Sequence, residues 1–205
     1  MYTEIEKQMK QFKQYITENK TESMEVWHGG DLEGGYNEML SHKKGRWEHG
    51  PGLYLTTHYD TAKKYSKGSR KLYKLIIAKG TDIGDVSIPM ADIDEFMRVY
   101  LSKRNAAVVR ERIERYIDGS NKVPAHIFVT IIINNDAIRS SETNNLRVFL
   151  VDHGVDYELV SSPFGWNEMM IVLFNMKKIV SKTRIQSTDK IETFDLPTEF
   201  QSFDV

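Results

Sequence analysis

The spacing of apolar positions in the first 80 residues predicts one amphipathic helix followed by short strands. Four apolar residues recur at intervals of three or four, with polar residues between them: Ile5, Met9, Phe12 and Ile16. This spacing predicts a helix over residues 1–20. Short apolar or alternating runs predict strands over residues 24–28, 53–55 and 71–78. Residues 31–52 are rich in Gly, His, Lys and Asn and predict a loop, whereas residues 60–66 predict a helix.

The rest of the chain also mixes the two kinds of element. The longest helical pattern covers residues 92–118, with a break near Asn105, and ends before Gly119. Residues 126–133 are β-branched and apolar, which predicts a buried strand. We further predict a helix over residues 146–153, strands over 157–160 and 169–174, and a polar closing segment or tail over 181–205. Because helices and strands do not alternate strictly, we expect one α+β domain over residues 1–205.

Composition narrows the class of protein. The chain has 205 residues, of which 40% are hydrophobic and 28% charged, as is typical of a globular domain. No apolar run approaches the ~18 residues that cross a bilayer, and the first residues lack the apolar core of a secretory signal. The absence of cysteine excludes disulfides, thiolate zinc sites and cysteine nucleophiles. We therefore expect a cytoplasmic protein without a membrane partner.

Charge is unevenly distributed along the chain. The formal net charge is −1, but residues 41–80 contain ten lysines and arginines and two acidic residues, a local net charge of +8. Such a segment attracts anions whatever the total charge is. We call residues 43–79 the basic segment. It is either a solvated lysine-rich face or a surface for a polyanion such as a nucleic acid.

Several common motifs are absent. The sequence contains no P-loop, no His-Glu-x-x-His and no G-x-S-x-G. Gly50-Pro51-Gly52 begins like a dinucleotide-binding fingerprint, but Leu55 occupies the place of the third glycine. No two of the six histidines are four residues apart, so the sequence predicts no metal site.

Three scattered features remain as candidates for chemistry. His28 ends a predicted strand and is followed by two glycines, which let a ligand approach the backbone. Tyr54 and Tyr65, eleven residues apart on a predicted strand and the next helix, could enclose a flat ring. Glu168 begins an apolar strand, where a carboxylate has no obvious role in the core. Taken one at a time, each residue is also explained as ordinary core or surface structure.

In this order the three features resemble the His-Tyr-Glu branch of the ADP-ribosyltransferase superfamily, which includes the diphtheria-toxin-like enzymes and the poly(ADP-ribose) polymerases. The matching segments are Trp27-His28-Gly29, Gly52-Leu53-Tyr54, Tyr59-Asp60 through Tyr65-Ser66, and Asn167-Glu168. The resemblance spans roughly residues 24–80 and 155–180. It implies an ADP-ribosyltransferase-like fold of two packed antiparallel or mixed β-sheets flanked by helices. Residues 85–125 would then be a helical insertion.

The resemblance also implies roles for individual residues, with NAD as the substrate and no metal. The catalytic residues would be Glu168, His28 and Tyr54. Tyr54 and Tyr65 would enclose the nicotinamide, and the backbone of Gly29 would bind its carboxamide. His28 would bind a ribose hydroxyl, and Glu168 would stabilise the positive charge that develops on the ribose.

The implied activity is that of a mono-ADP-ribosyltransferase. Ala62, in the implied cofactor site, replaces a serine that binds the nicotinamide amide in the polymerases, and this argues against polymer synthesis. The expected acceptor is a protein, with Trp166 either touching it or packing on the core. A nucleic-acid acceptor bound by the basic segment, hydrolysis of free NAD, and a non-catalytic nucleotide-binding module are the alternatives.

Overall fold

The structure, a computed structural model, describes residues 23–33, 48–66, 71–161 and 168–186. The predicted helix over residues 1–20 lies outside these ranges, as do Trp166 and residues 187–205. The strands are β1 (Ser23–Gly29), β2 (Leu53–Thr56), β3 (Leu72–Ala78), β4 (Ser87–Pro89), β5 (Lys122–Pro124), β6 (Tyr157–Ser161), β7 (Met169–Leu173) and β8 (Ile179–Arg184). The α-helices are α1 (Tyr59–Tyr65), α2 (Met90–Tyr100), α3 (Lys103–Ile113), α4 (Ala125–Asn134) and α5 (Thr143–Asp152). The α+β class is therefore confirmed.

Six of the strands form one antiparallel sheet in the order β6-β7-β2-β1-β3-β8. At its centre, β1 and β2 pair through one residue pair of the described chain, Trp27 with Thr56. By contrast, β1 and β3 pair along seven residues. The sheet therefore consists of two three-stranded halves, β6-β7-β2 and β1-β3-β8, that meet at one point.

Apolar side chains from one face of both halves form a single buried cluster. Its fully buried members include Val26 and Leu75 from one half and Ile171 and Leu173 from the other. No residue of the five described α-helices belongs to this cluster. A parallel bridge between Asp82, just after β3, and Tyr157 of β6 joins the halves a second time. The halves therefore pack against each other rather than lying flat.

Helices cover the outer faces of the two halves. Behind β6-β7-β2, the four helices α2 to α5 form the larger apolar cluster, which includes Phe128 and reaches Val172 of β7. Behind β1-β3-β8, helix α1 contributes Ala62 to a small cluster with Trp27 and Leu72. The remaining two strands, β4 and β5, pair with each other in a separate two-stranded sheet.

One predicted strand is wrong. Residues 126–133 belong to helix α4, which begins directly after Pro124. Its buried residues include Phe128 and Ile132, four apart, and Val129 and Ile133, also four apart. That spacing places them on one face of a helix, and burial of this face outweighs the strand preference of the isoleucines.

The other predicted elements in the described ranges are present within about three residues of their expected ends, although the segment over 92–118 divides. It forms α2 and α3, which are separated at Leu101 and Ser102. The Ser102 side chain accepts a hydrogen bond from the Asn105 backbone N–H (3.1 Å) and so caps the start of α3. The break expected near Asn105 is confirmed. Strand β8, by contrast, was not predicted, because most of its side chains are polar and exposed at the edge of the sheet.

Gly29 packs against helix α1 so closely that a side chain would not fit. A Cβ atom at Gly29 would lie 1.9 Å from the backbone oxygen of Ala62. We expect Gly29→Ala to destabilise the fold by roughly 1–3 kcal/mol or more, because a backbone atom must move. Gly119→Ala is the control, since its Cβ would meet nothing within 4 Å. Equal urea midpoints for the two variants would contradict this account.

Candidate functional site

Strand β2 is the centre of the candidate site. Leu53 and Leu55 point into the cluster between the two halves of the sheet. Because side chains alternate along a strand, Tyr54 and Thr56 lie together on the opposite face. Their positions on β2 bring them next to two residues from distant parts of the chain, His28 of β1 and Glu168 just before β7.

His28 is fixed to β2 through its ring. The Nδ1 atom lies 2.8 Å from the backbone oxygen of Tyr54. A carbonyl oxygen only accepts hydrogen bonds, so Nδ1 donates and, in the neutral ring, Nε2 is an acceptor. The side chain is 9% exposed, and burial lowers the pKa of His28 despite the opposing effect of the Tyr54 carbonyl. His28 is therefore uncharged near neutral pH, and Nε2 can accept a hydrogen bond from a hydroxyl.

The pairing of β1 with β2 ends beside this histidine. In the register of Trp27 with Thr56, the next pairs would be His28 with Leu55 and Gly29 with Tyr54, but the described structure contains neither. Gly30 donates its N–H to Lys71 on the β3 side (3.0 Å). Since backbone groups alternate along a strand, those of Gly29 are directed toward β2. The backbone N–H and C=O of Gly29 therefore lie where β1 and β2 separate. A side chain at Gly29 is excluded for another reason, the close packing of this residue against α1.

Glu168 is held by the same strand. Its side chain is 4% exposed, and its Oε1 atom accepts a hydrogen bond from the Thr56 hydroxyl. Thr56 lies two residues after Tyr54, whose carbonyl binds His28, so the two attachment points are about 7 Å apart along β2. His28 and Glu168 are therefore both attached to β2, His28 at the backbone oxygen of Tyr54 and Glu168 at the side chain of Thr56.

The phenol of Tyr54 is built into the loop that precedes β2. Its hydroxyl donates to the backbone oxygen of Gly50 (3.0 Å) and accepts from the N–H of His49 (3.1 Å). Its ring packs partly against the larger apolar cluster. Burial raises the pKa of this phenol well above its ordinary value. Tyr54 is thus a fixed, neutral aromatic group.

The two predicted site residues of α1, Ala62 and Tyr65, differ in their exposure to solvent. Tyr65 ends the helix and is 56% exposed. Burial of its hydroxyl, and after it the negative charges of Glu168 and Glu48, raise the pKa of Tyr65, so the ring lies within electrostatic reach of the site. Ala62 is buried against Trp27 in the packing between helix and sheet. Its side chain is thus a packing group.

Thr56 is the residue of the site that the sequence analysis missed. Alternation along β2 places it on the face of Tyr54, and this signal was available. Its partner Glu168 is 112 positions away, however, so no local pattern links the two. The predicted site residues Trp166 and Asn167 lie outside the described ranges.

Part of the basic segment is neutralised by acidic residues outside it. Lys71 donates to Asp31 (2.6 Å) and to Glu33 (2.7 Å). Lys74 forms an ion pair with Glu25 (2.6 Å). These paired lysines offer less positive charge to a polyanion than the sequence count indicates.

The described residues contain neither a candidate metal site nor a membrane-spanning helix. Among the described residues, no group of three or more His, Asp or Glu could hold a metal ion. Within the same ranges, no helix is long and apolar enough to cross a membrane.

Comparisons of the chain with protein-family models, with curated proteins and with solved structures found no match.

Two histidines beside Tyr54 are expected to give opposite pH dependences of stability. Burial lowers the pKa of His28, so its contribution is lost as pH falls below the unfolded value of about 6.5. The Glu158 carboxylate, 3.7 Å away, raises the pKa of His49. The contribution of His49 is complete below about pH 6.5 and is lost as pH rises through its folded value.

The test is urea unfolding at about pH 7.5 and about pH 5.5, on either side of the ordinary histidine value. On acidification, His28→Gln should lose less stability than the wild type, and His49→Gln should lose more. Equal losses in both variants would contradict the assigned environments.

Proposed function

We propose that the protein is an NAD-dependent mono-ADP-ribosyltransferase that transfers ADP-ribose to a macromolecular acceptor, a protein, and releases nicotinamide. The main support is the attachment of two buried polar groups, His28 and Glu168, to adjacent points of strand β2. The exposed ring of Tyr65 at the end of α1 adds an aromatic surface.

The residues present fit such a substrate. A Cβ atom at Gly30 would lie 2.6 Å from Nε2 of His28, so the glycine keeps this acceptor atom clear of side chains. Nε2 can accept from a ribose hydroxyl, and Tyr65 can stack on a flat heteroaromatic ring. When bound, NAD would supply the bond that breaks, between the ribose carbon and the nicotinamide nitrogen: nicotinamide leaves with the bonding electron pair, and the acceptor bonds to the ribose carbon and gives up a proton.

Glu168 would stabilise the positive charge that this bond cleavage creates. Among the described residues, no cation forms an ion pair with it; its polar partner is the neutral hydroxyl of Thr56. Its negative charge is therefore not cancelled, and in a buried site it acts more strongly than it would in water. A module that only binds a nucleotide has no need of such a group, since burying a carboxylate costs free energy.

A protein acceptor is favoured by the ion pairs of the basic segment. Lys71 and Lys74 are bound to Asp31, Glu33 and Glu25, so two of the lysines counted for a nucleic acid are neutralised. Binding of a polyanion depends on unpaired cations that release counterions.

The first prediction from this proposed function concerns Glu168→Gln. With labelled NAD and a whole-cell lysate, this variant should transfer label about 10²–10³ times more slowly, because a group that stabilises the transition state is lost. Its affinity for NAD should change little. Glu111→Gln, on the exposed face of α3, is the control and should be as active as the wild type.

Full transfer by Glu168→Gln would overturn the proposed activity. The label should disappear on treatment with protease. A label that resists protease and is removed by nuclease would show that the acceptor is a nucleic acid and not a protein.

A second prediction concerns stacking by Tyr65. Tyr65→Ala should weaken NAD binding by roughly 1–2 kcal/mol, about 5- to 30-fold in Kd, with little change in melting temperature because the ring is exposed. Tyr116→Ala removes a comparably exposed ring (42%) elsewhere and should leave Kd unchanged. Calorimetric titration measures both. An unchanged Kd in Tyr65→Ala would place the nicotinamide site elsewhere.

A further inference from the structure

The hydroxyl of Thr56 has a fixed hydrogen-bond direction. Thr56 is buried, and its oxygen accepts the backbone N–H of His58 at 3.0 Å. A hydroxyl has one hydrogen to give, and a carboxylate only accepts. The hydrogen of Thr56 is therefore directed to Oε1 of Glu168. The backbone N–H, the hydroxyl and the carboxylate form a short chain in which each bond polarises the next.

This chain determines which oxygen of Glu168 is available. Oε1 is occupied by Thr56, and the described structure gives Oε2 no hydrogen-bond partner. A carboxylate held at one oxygen keeps its other oxygen in a defined direction, and such orientation is a large part of how a buried charge acts on a substrate.

We propose that Thr56 is a positioning residue for Glu168, orienting the carboxylate so that Oε2 faces the substrate. This inference rests on the proposed function, because it assigns Glu168 the role of stabilising positive charge. Thr56 itself does not touch the substrate. It acts through the carboxylate that it holds.

The neighbouring threonine provides a matched comparison. Thr57 is also buried, and its hydroxyl oxygen accepts the backbone N–H of Met169 (3.1 Å) and contacts Nδ1 of His58 (3.0 Å). Thr57 thus binds the backbone of β7, whereas Thr56 binds a side chain. Both residues are buried threonines, Thr56 at the end of β2 and Thr57 directly after it, and they differ in the group that each one binds.

The experiment compares Thr56→Val, Thr56→Ser and Thr57→Val in the release of nicotinamide from NAD in the presence of lysate. Thr56→Val should lower kcat about 10- to 100-fold with KM for NAD nearly unchanged, as loss of one charge-assisted hydrogen bond predicts. Thr56→Ser, which keeps the hydroxyl, should retain most of the activity. Thr57→Val should lose stability but keep kcat in its folded fraction.

A second measurement does not depend on activity. Crystal structures of the variants should show the Glu168 carboxylate rotated away from β2 in Thr56→Val and unchanged in Thr56→Ser. If the wild type releases nicotinamide and Thr56→Val does so equally fast, the positioning role is overturned and the proposed function stands. If the wild type releases none, the proposed function fails, and the catalytic part of this inference fails with it.

Discussion

The separation of β1 from β2 after a single residue pair is the constraint on which the site depends. If Trp27 and Thr56 were followed by further pairs, Gly29 and Tyr54 would complete a continuous ladder and close this place in the sheet. Instead, the carbonyl oxygen of Tyr54 accepts a hydrogen bond from Nδ1 of His28. The buried cluster between the halves, and the bridge of Asp82 with Tyr157, hold the halves together without that ladder. The fold can thus leave strand ends open at its centre without losing its core.

Gly29 illustrates how one residue can satisfy two requirements. A close approach of a ligand to the backbone explains a glycine after His28, and so does the contact with α1, where the Ala62 oxygen occupies the position of a Cβ. The second explanation is sufficient by itself, because a backbone oxygen at 1.9 Å tolerates no side chain. It also fixes α1 against β1, and the end of α1 carries Tyr65. The packing of Gly29 against α1 therefore determines the position of the exposed Tyr65 ring.

Local pattern was sufficient for the strands that carry the site and for its candidate residues. His28 ends an apolar run, Tyr54 follows Gly52 in a short strand, Tyr65 lies eleven residues later, and Glu168 begins an apolar strand. Local pattern was insufficient where long-range packing decides. Residues 126–133 have strand-forming side chains but are helical, since the larger apolar cluster requires one buried helix face there. Thr56 was missed for a related reason: its chemistry is defined by Glu168, which only the tertiary fold brings near.

The two acidic environments of the molecule differ in a way that bears on function. Around β3, carboxylates meet lysines, as Asp31 and Glu33 meet Lys71, and such exposed pairs contribute little free energy and cancel charge. At the candidate site, Glu168 is buried, its described partner is a hydroxyl, and the burial of His28 keeps the nearby imidazole neutral by lowering its pKa. The folded state would be more stable if this carboxylate were paired with a cation or replaced by an apolar side chain. Under the proposed transferase activity, an oriented carboxylate at this position would stabilise a cation that exists only while a bond of the substrate is breaking.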